Sequence, residues 1–178
     1  YAILKSPTSS VVLGKKRDFK AYGIDLTFDD DALRLLAEQA AVEQTGARSL
    51  VGVSERALLK FEKSLPSTDI DAFHVTRDVI KNPEYALQQL LVRRGAGVFV
   101  ERFQAAYGIA LTFDEEALLA LAQKASTEHC RVDALCQEFF DDYGHGLNLL
   151  GHTSFEITAE VVRQPKVFLD GLVKAFYQ

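Results

Sequence analysis

Three groups of side chains in this 178-residue sequence have the types and spacing to do chemistry. The first is Arg48, within Thr45-Gly46-Ala47-Arg48-Ser49-Leu50. The second is the run Asp29-Asp30-Asp31, and the third is the set His129, Cys130, Cys136, His145 and His152. A guanidinium beside the free N–H groups of a helix start would meet an anion there, phosphate above all. Three carboxylates could hold a hard cation, and the His/Cys set a zinc ion. The acidic run has a simpler reading, because carboxylates at a helix start satisfy its free N–H groups and its dipole. The His and Cys spacings fit none of the usual Cys-x2-Cys or His-x3-His patterns. Cys130 and Cys136 are expected on different faces of one helix. Neither a metal site nor a catalytic residue is expected from these groups, which leaves Arg48.

The surrounding elements must position that arginine. Gly46 reads as the stop of a preceding helix, since glycine enters the left-handed region without a Cβ clash. Leu50, Val53, Ala57, Leu58, Phe61 and Leu65 then recur at helical spacing until Pro66 ends the run. Arg48 therefore sits in the first turn of a new helix. A cation there faces the positive end of the dipole, unfavourable by about 0.3–1 kcal/mol unless an anion shares the site. Upstream, Ser6-Pro7 predicts a helix running to about Tyr22, stopped by Gly23. Residues 24–28 alternate as a short half-buried strand. Thr27 or Asp29 caps the next helix, whose buried stripe is Leu33, Leu36, Ala37 and Ala40. A second strand at Phe73-His74-Val75-Thr76 is expected to pair with the first and to turn His74 to solvent, and Asn82-Pro83 opens a further helix.

The chain then repeats. Residues 106–125 match residues 21–40 at 13 of 20 positions, an offset of 85, and Phe155-Glu156-Ile157-Thr158 matches Phe73-His74-Val75-Thr76 at an offset of 82. The core stripe returns as Leu118, Leu121, Ala122 and Ala125. Strands are expected to pair again, 109–113 with 155–157, and a last helix after Pro165 carries Phe168, Leu169, Leu172 and Phe176. Such a unit is longer than the common solenoid periods, so a tandem duplication of one small domain is expected. At the places of Gly46, Ala47 and Arg48 the second copy has Arg131, Val132 and Asp133. A carboxylate at the third place disfavours a phosphate; Arg131, two positions earlier, is a candidate to compensate it, although helical geometry is expected to point it elsewhere. Gly144-His145-Gly146 stands where the first copy has Leu65-Pro66-Ser67 and is expected to break or shorten the helix.

The Gly46-Ala47-Arg48 motif, followed by Leu65-Pro66-Ser67 and Phe73-His74-Val75-Thr76 and preceded by Tyr22-Gly23-Ile24-Asp25-Leu26-Thr27-Phe28, resembles the small C-terminal domain of the ClpX-type AAA+ unfoldases. The resemblance covers residues 3–80. It implies a mainly helical α+β fold: two tandem AAA+ small (C-terminal lid) domains, each a helical bundle with a short two- or three-stranded β element. Residues 1–81 would be the copy with the motif and residues 82–178 a degenerate copy without its arginine. By the same resemblance Arg48, supported by Gly46 and Ala47, is the sensor-2 residue that touches the nucleotide's phosphates. Ser49, Val51 and Gly52 stand where the family usually has Gly, Arg and Ser. The implied whole protein carries a P-loop domain upstream, forms a hexameric ring and unfolds protein substrates with ATP. ATP or ADP with Mg would bind only together with that large domain, and the implied partners are neighbouring AAA+ subunits, protein substrates and a Clp peptidase. No Gly-x-x-x-x-Gly-Lys-Ser/Thr occurs here, so this chain alone is not expected to hydrolyse ATP. A second class of function is a non-catalytic interaction or scaffold module made from the duplicated domain.

Composition narrows the field. Residues 1–85 carry 12 Lys+Arg against 13 Asp+Glu, and residues 86–178 carry 8 against 12, which together give the net charge of -5. Neither half offers a basic field for nucleic acid. No apolar run is long enough to cross a bilayer, and two cysteines make no disulfide framework. A cytoplasmic location is expected. The absence of methionine and the start at Tyr1 suggest a piece of a longer protein.

Overall fold

The computed structural model describes residues 1–43 and 46–177, and their contacts divide the chain into two units, residues 1–87 and residues from 88 onward. In the first unit, α1 (Ala2–Lys5) and α2 (Ser10–Lys20) lead into β1 (Asp25–Phe28). Ser6-Pro7 does not open a helix, contrary to expectation. Proline pushes the residue before it out of the helical region, and Ser6 is extended at φ -60°, ψ 133°, closing α1. The cap of α2 is Ser9, whose side chain accepts from the Val12 N–H. Gly23, at φ 78°, makes the turn into β1.

Asp29 caps α3 (Asp30–Val42), accepting from the Ala32 N–H at 2.6 Å, so the acidic run does the work of a helix start. The buried stripe of α3 is Ala32, Leu33, Leu36 and Ala40, while Ala37 is only half-buried. Then come α4 (Ala47–Ser64), a 3-10 turn over Leu65–Ser67, β2 (Ala72–Val75) and α5 (Arg77–Lys81). Strands β1 and β2 pair in parallel, Asp25 opposite Ala72 through Phe28 opposite Val75. Parallel pairing requires a crossover of a dozen residues or more, and here α3 and α4 supply it. The inward faces, Leu26, Phe73 and Val75, are covered by Phe19, Leu36, Leu58 and Phe61, all buried. Phe61 stacks on Phe73 with ring centroids 4.6 Å apart. On the outer face Thr27 Oγ1 and His74 Nδ1 share a hydrogen bond of 2.8 Å, with His74 exposed as expected.

Helix α6 (Pro83–Tyr107) begins in the first unit, with Asn82 accepting from the Tyr85 N–H, and its later turns enter the second. The second unit continues with β3 (Ala110–Phe113), α7 (Glu115–Glu128), α8 (Val132–Phe140), α9 (Tyr143–Leu149), β4 (Ser154–Ile157), α10 (Ala159–Arg163) and α11 (Pro165–Phe176). Asp114 caps α7 as Asp29 caps α3, and β3 pairs in parallel with β4. The core joins Phe99, Phe103, Leu111, Leu121, Phe140 and Tyr143. Burial pushes the Tyr143 phenol up, and its hydroxyl donates to the Pro165 carbonyl at 2.6 Å.

Three expectations for this unit change. Phe168, Leu169 and Leu172 pack against the core, but Phe176 stays exposed. Cys130 lies between α7 and α8 and Cys136 lies within α8, so they share no helix. The helix is shortened as expected, α8 having nine residues against eighteen in α4, but Gly144 and Gly146 are not themselves the break: they sit inside α9, where a Cβ at Gly144 would lie 2.4 Å from the Tyr107 ring and one at Gly146 2.7 Å from Leu169 Cδ1. The break falls just before them, at Asp141-Asp142.

Glycine substitutions separate these roles. Gly14, inside α2, has open space where a Cβ would go, so Gly14→Ala is expected to raise stability by about 0.5–1 kcal/mol. Gly144→Ala drives a methyl into an aromatic ring and should lower it by roughly 1–3 kcal/mol. Urea denaturation of the two variants checks both signs.

Candidate functional site

The start of α4 is where the sequence places its one candidate. Gly46 is the N-cap at φ 68°, ψ -140°, a combination that essentially only glycine adopts. Its part differs from the expected one: α3 ends at Val42 with Glu43 in ordinary helical geometry, so Gly46 begins α4 rather than ending α3. Thr45 and the side chain of Ala47 lie outside the described residues. Among the described residues no side chain caps α4, and no acidic residue stands in its first turn. Its leading N–H groups are therefore without the partners that Asp29 gives α3.

Arg48 is the second residue of α4 and is exposed. Among the described residues it makes no hydrogen bond or ion pair, in contrast to Arg34 on Asp30 at 2.9 Å and Arg56 on Glu43. Immediately behind it the helix is anchored by Ser49, 3% exposed, and Leu50, 7% exposed. Ser49 Oγ donates to the Gly46 carbonyl at 2.5 Å, and the Ser49 N–H reaches the same oxygen at 3.2 Å. An exposed arginine thus stands in the first turn of an 18-residue helix, at the positive end of its dipole and with no side-chain cap among the described residues. That combination suits an anion such as phosphate.

At the corresponding place in the second unit the chemistry is closed. Arg131 is the N-cap of α8, in extended geometry, and its guanidinium binds Asp133 through both oxygens, at 3.0 and 3.1 Å. The expectation that Arg131 points elsewhere fails because a cap residue lies outside the helix, and its side chain is free to fold over the first turn. The carboxylate is therefore neutralised by a fork-to-fork pair. Asp133 has only 15% of its side chain exposed. A Cβ on Gly95 of α6 would lie 2.8 Å from Val132 Cβ and 3.2 Å from the Asp133 nitrogen, so α6 lies directly against this helix start. The left-handed stop expected of a glycine is made by His129, at φ 52°.

Among the described residues no three His, Cys, Asp or Glu side chains are grouped to hold a metal ion. Burial pushes the Cys136 thiol up to about 12, with the nearby Asp133 charge adding to the effect. Cys130 is half-exposed. With a thiol reagent at pH 8, Cys130 is expected to react rapidly while Cys136 stays protonated and unlabelled until the unit unfolds. Counting thiols modified before and after denaturant addition reads this directly.

Comparison with known proteins gives partial matches. The family described as the C-terminal, D2-small domain of ClpB protein matches residues 13–61, the stretch from α2 through most of α4 that includes Arg48. The ATP-dependent Clp protease ATP-binding subunit ClpX of Borrelia duttonii is 37% identical over 81 residues, 45% of this chain and 19% of that protein. ClpX of Azotobacter vinelandii is 38% identical over 65 residues, 36% of this chain and 15% of that protein. The mitochondrial ATP-dependent clpX-like chaperone of Saccharomyces cerevisiae is 32% identical over 90 residues, 49% of this chain and 17% of that protein. The chain thus spans less than a fifth of the length of each of these relatives. No solved structure matches. No helix among the described residues is long and apolar enough to cross a membrane. With the mainly helical α+β architecture, these matches support a Clp ATPase C-terminal small domain in the part of the chain that carries α2, β1, α3 and α4.

Proposed function

We propose that the chain is the C-terminal part of a ClpX-like, ATP-dependent protein unfoldase, in which Arg48 senses the nucleotide held by a large domain elsewhere in the whole protein. The observation that carries this reading is Arg48 itself, exposed and unpaired among the described residues at an uncapped helix start. A guanidinium is suited to this because it is always charged and offers a planar fork of donors to phosphate oxygens. The backbone N–H groups of α4 add a second set of donors. The first unit would respond to the state of the phosphates as a rigid body, and its neighbours in an AAA+ ring would receive the motion. Protein substrates, adjacent AAA+ subunits and a Clp peptidase are the partners of that assembly, and the cytoplasm is its setting. In the full-length protein Arg48→Ala should weaken ADP binding about tenfold, the value of one charge-assisted contact, and lower ATP turnover or its coupling to unfolding. Unchanged ADP affinity would remove the sensing role.

The second unit supports a different reading of its own half. We infer that it is a duplicate of the first that has become a non-catalytic interaction or scaffold module. Its ladder runs Ala110 opposite Ser154 to Phe113 opposite Ile157, in the same sense as Asp25 opposite Ala72 to Phe28 opposite Val75. Tyr143 packs on Phe155 at 5.9 Å as Phe61 packs on Phe73. At the helix start that carries Arg48 in the first unit, this one carries a carboxylate, Asp133, already paired with Arg131, and α6 packs against the turn at Gly95. Asp133→Arg, introduced into Arg48→Ala protein, should therefore leave ADP affinity at the weakened level. Recovery of affinity would mean that the second unit still reads nucleotide.

A further inference from the structure

We propose that Ser49 is a positioning residue for Arg48: its hydroxyl keeps the uncapped first turn of α4 wound, and so fixes where the guanidinium is presented. This rests on the nucleotide-sensing reading of Arg48. A helix start without a side-chain cap frays, because its first N–H groups gain nothing from staying in register. Among the described residues the start of α4 has no such cap, and the residue before it is the conformationally permissive Gly46, with no described atom within 4 Å of its Cβ position to hold it by packing. What holds it is its carbonyl oxygen. That oxygen accepts two hydrogen bonds from one residue, the Ser49 N–H at 3.2 Å and the Ser49 Oγ at 2.5 Å.

The serine is itself fixed. It is 3% exposed, beside the buried Leu50, and a hydroxyl taken out of water must find a partner. Its partner is the carbonyl that starts the turn. The bond spans Gly46 to Ser49 and so encloses Ala47 and Arg48. If it opens, Arg48 loses the fixed helical backbone that aims it; while it is closed, the arginine is presented from a turn anchored to the core. Ser49 touches no nucleotide in this scheme and acts only through Arg48.

The test is a double-mutant cycle in the full-length protein, read by titration with fluorescent ADP, with amide exchange of the first turn of α4 measured alongside. Ser49→Ala should speed exchange at the start of α4 and weaken ADP binding about two- to tenfold, the range for one lost hydrogen bond. Ser49→Thr, which keeps the hydroxyl, should restore both. In Arg48→Ala protein, Ser49→Ala should have no further effect on ADP affinity, since the residue it positions is gone. Additive losses in the two variants, or an ADP affinity indifferent to Ser49→Ala while Arg48→Ala weakens it, would overturn the positioning role. An ADP affinity indifferent to Arg48→Ala would instead take down the sensing reading, and the positioning role with it.

Discussion

Two four-residue strands hold no sheet together in water by themselves; a pair this small is stable only with an apolar cover. Each unit of this protein is built around that requirement. Because β1 and β2 run parallel, the chain between them must cross over, and it does so through α3 and α4. The crossover helices supply the cover as well: Leu36 from α3 and Leu58 and Phe61 from α4 are buried with Leu26 and Phe73 from the strands. The helix that closes the ladder is the same helix that carries Arg48. Its core-facing residues, Leu50 through Leu65, fix its axis, and its first turn is left at the surface.

That arrangement explains why a charged side chain, unpaired among the described residues, can persist at the unfavourable end of a helix dipole. Burial of the apolar stripe of α4, with fully buried Leu58, Phe61 and Leu65, is worth several kcal/mol by area. The dipole penalty at Arg48 is at most about 1 kcal/mol and is screened by water. Stability therefore does not require an anion there.

The second unit shows the same scaffold with the opposite outcome at its helix start. There Arg131, itself exposed, pairs with the largely shielded Asp133, and α6 approaches the turn closely at Gly95. In the same helix Cys136 is buried, which with the Asp133 charge holds its thiol protonated. The chemistry of the two halves differs through a few side chains at one turn and one missing Cβ, while both ladders and both aspartate caps, at Asp29 and Asp114, are kept.

Much of this is legible in the residues alone, because it depends on local periodicity. The strands, the aspartate caps, the stripe of α4 from Leu50 to Leu65, the Pro66 stop and the place of Arg48 in a first turn each follow from spacings of two or about 3.6 residues and from cap chemistry. What only the tertiary structure decided concerns side chains and glycines whose role depends on a distant neighbour. Ser9 rather than Ser6 caps α2, since Pro7 holds Ser6 extended and the short α1 folds back so that Leu4 is buried. Gly144 and Gly146 read as helix breakers but are spacers for Tyr107 and Leu169, elements far away in sequence. The glycine at 95 gave no local sign that it would lie on Val132, and nothing in the spacing of Arg131 and Asp133 showed that the first stands outside the helix and can close on the second. A sequence encodes what neighbours along the chain will do; which surfaces stay open is settled only when the elements have packed.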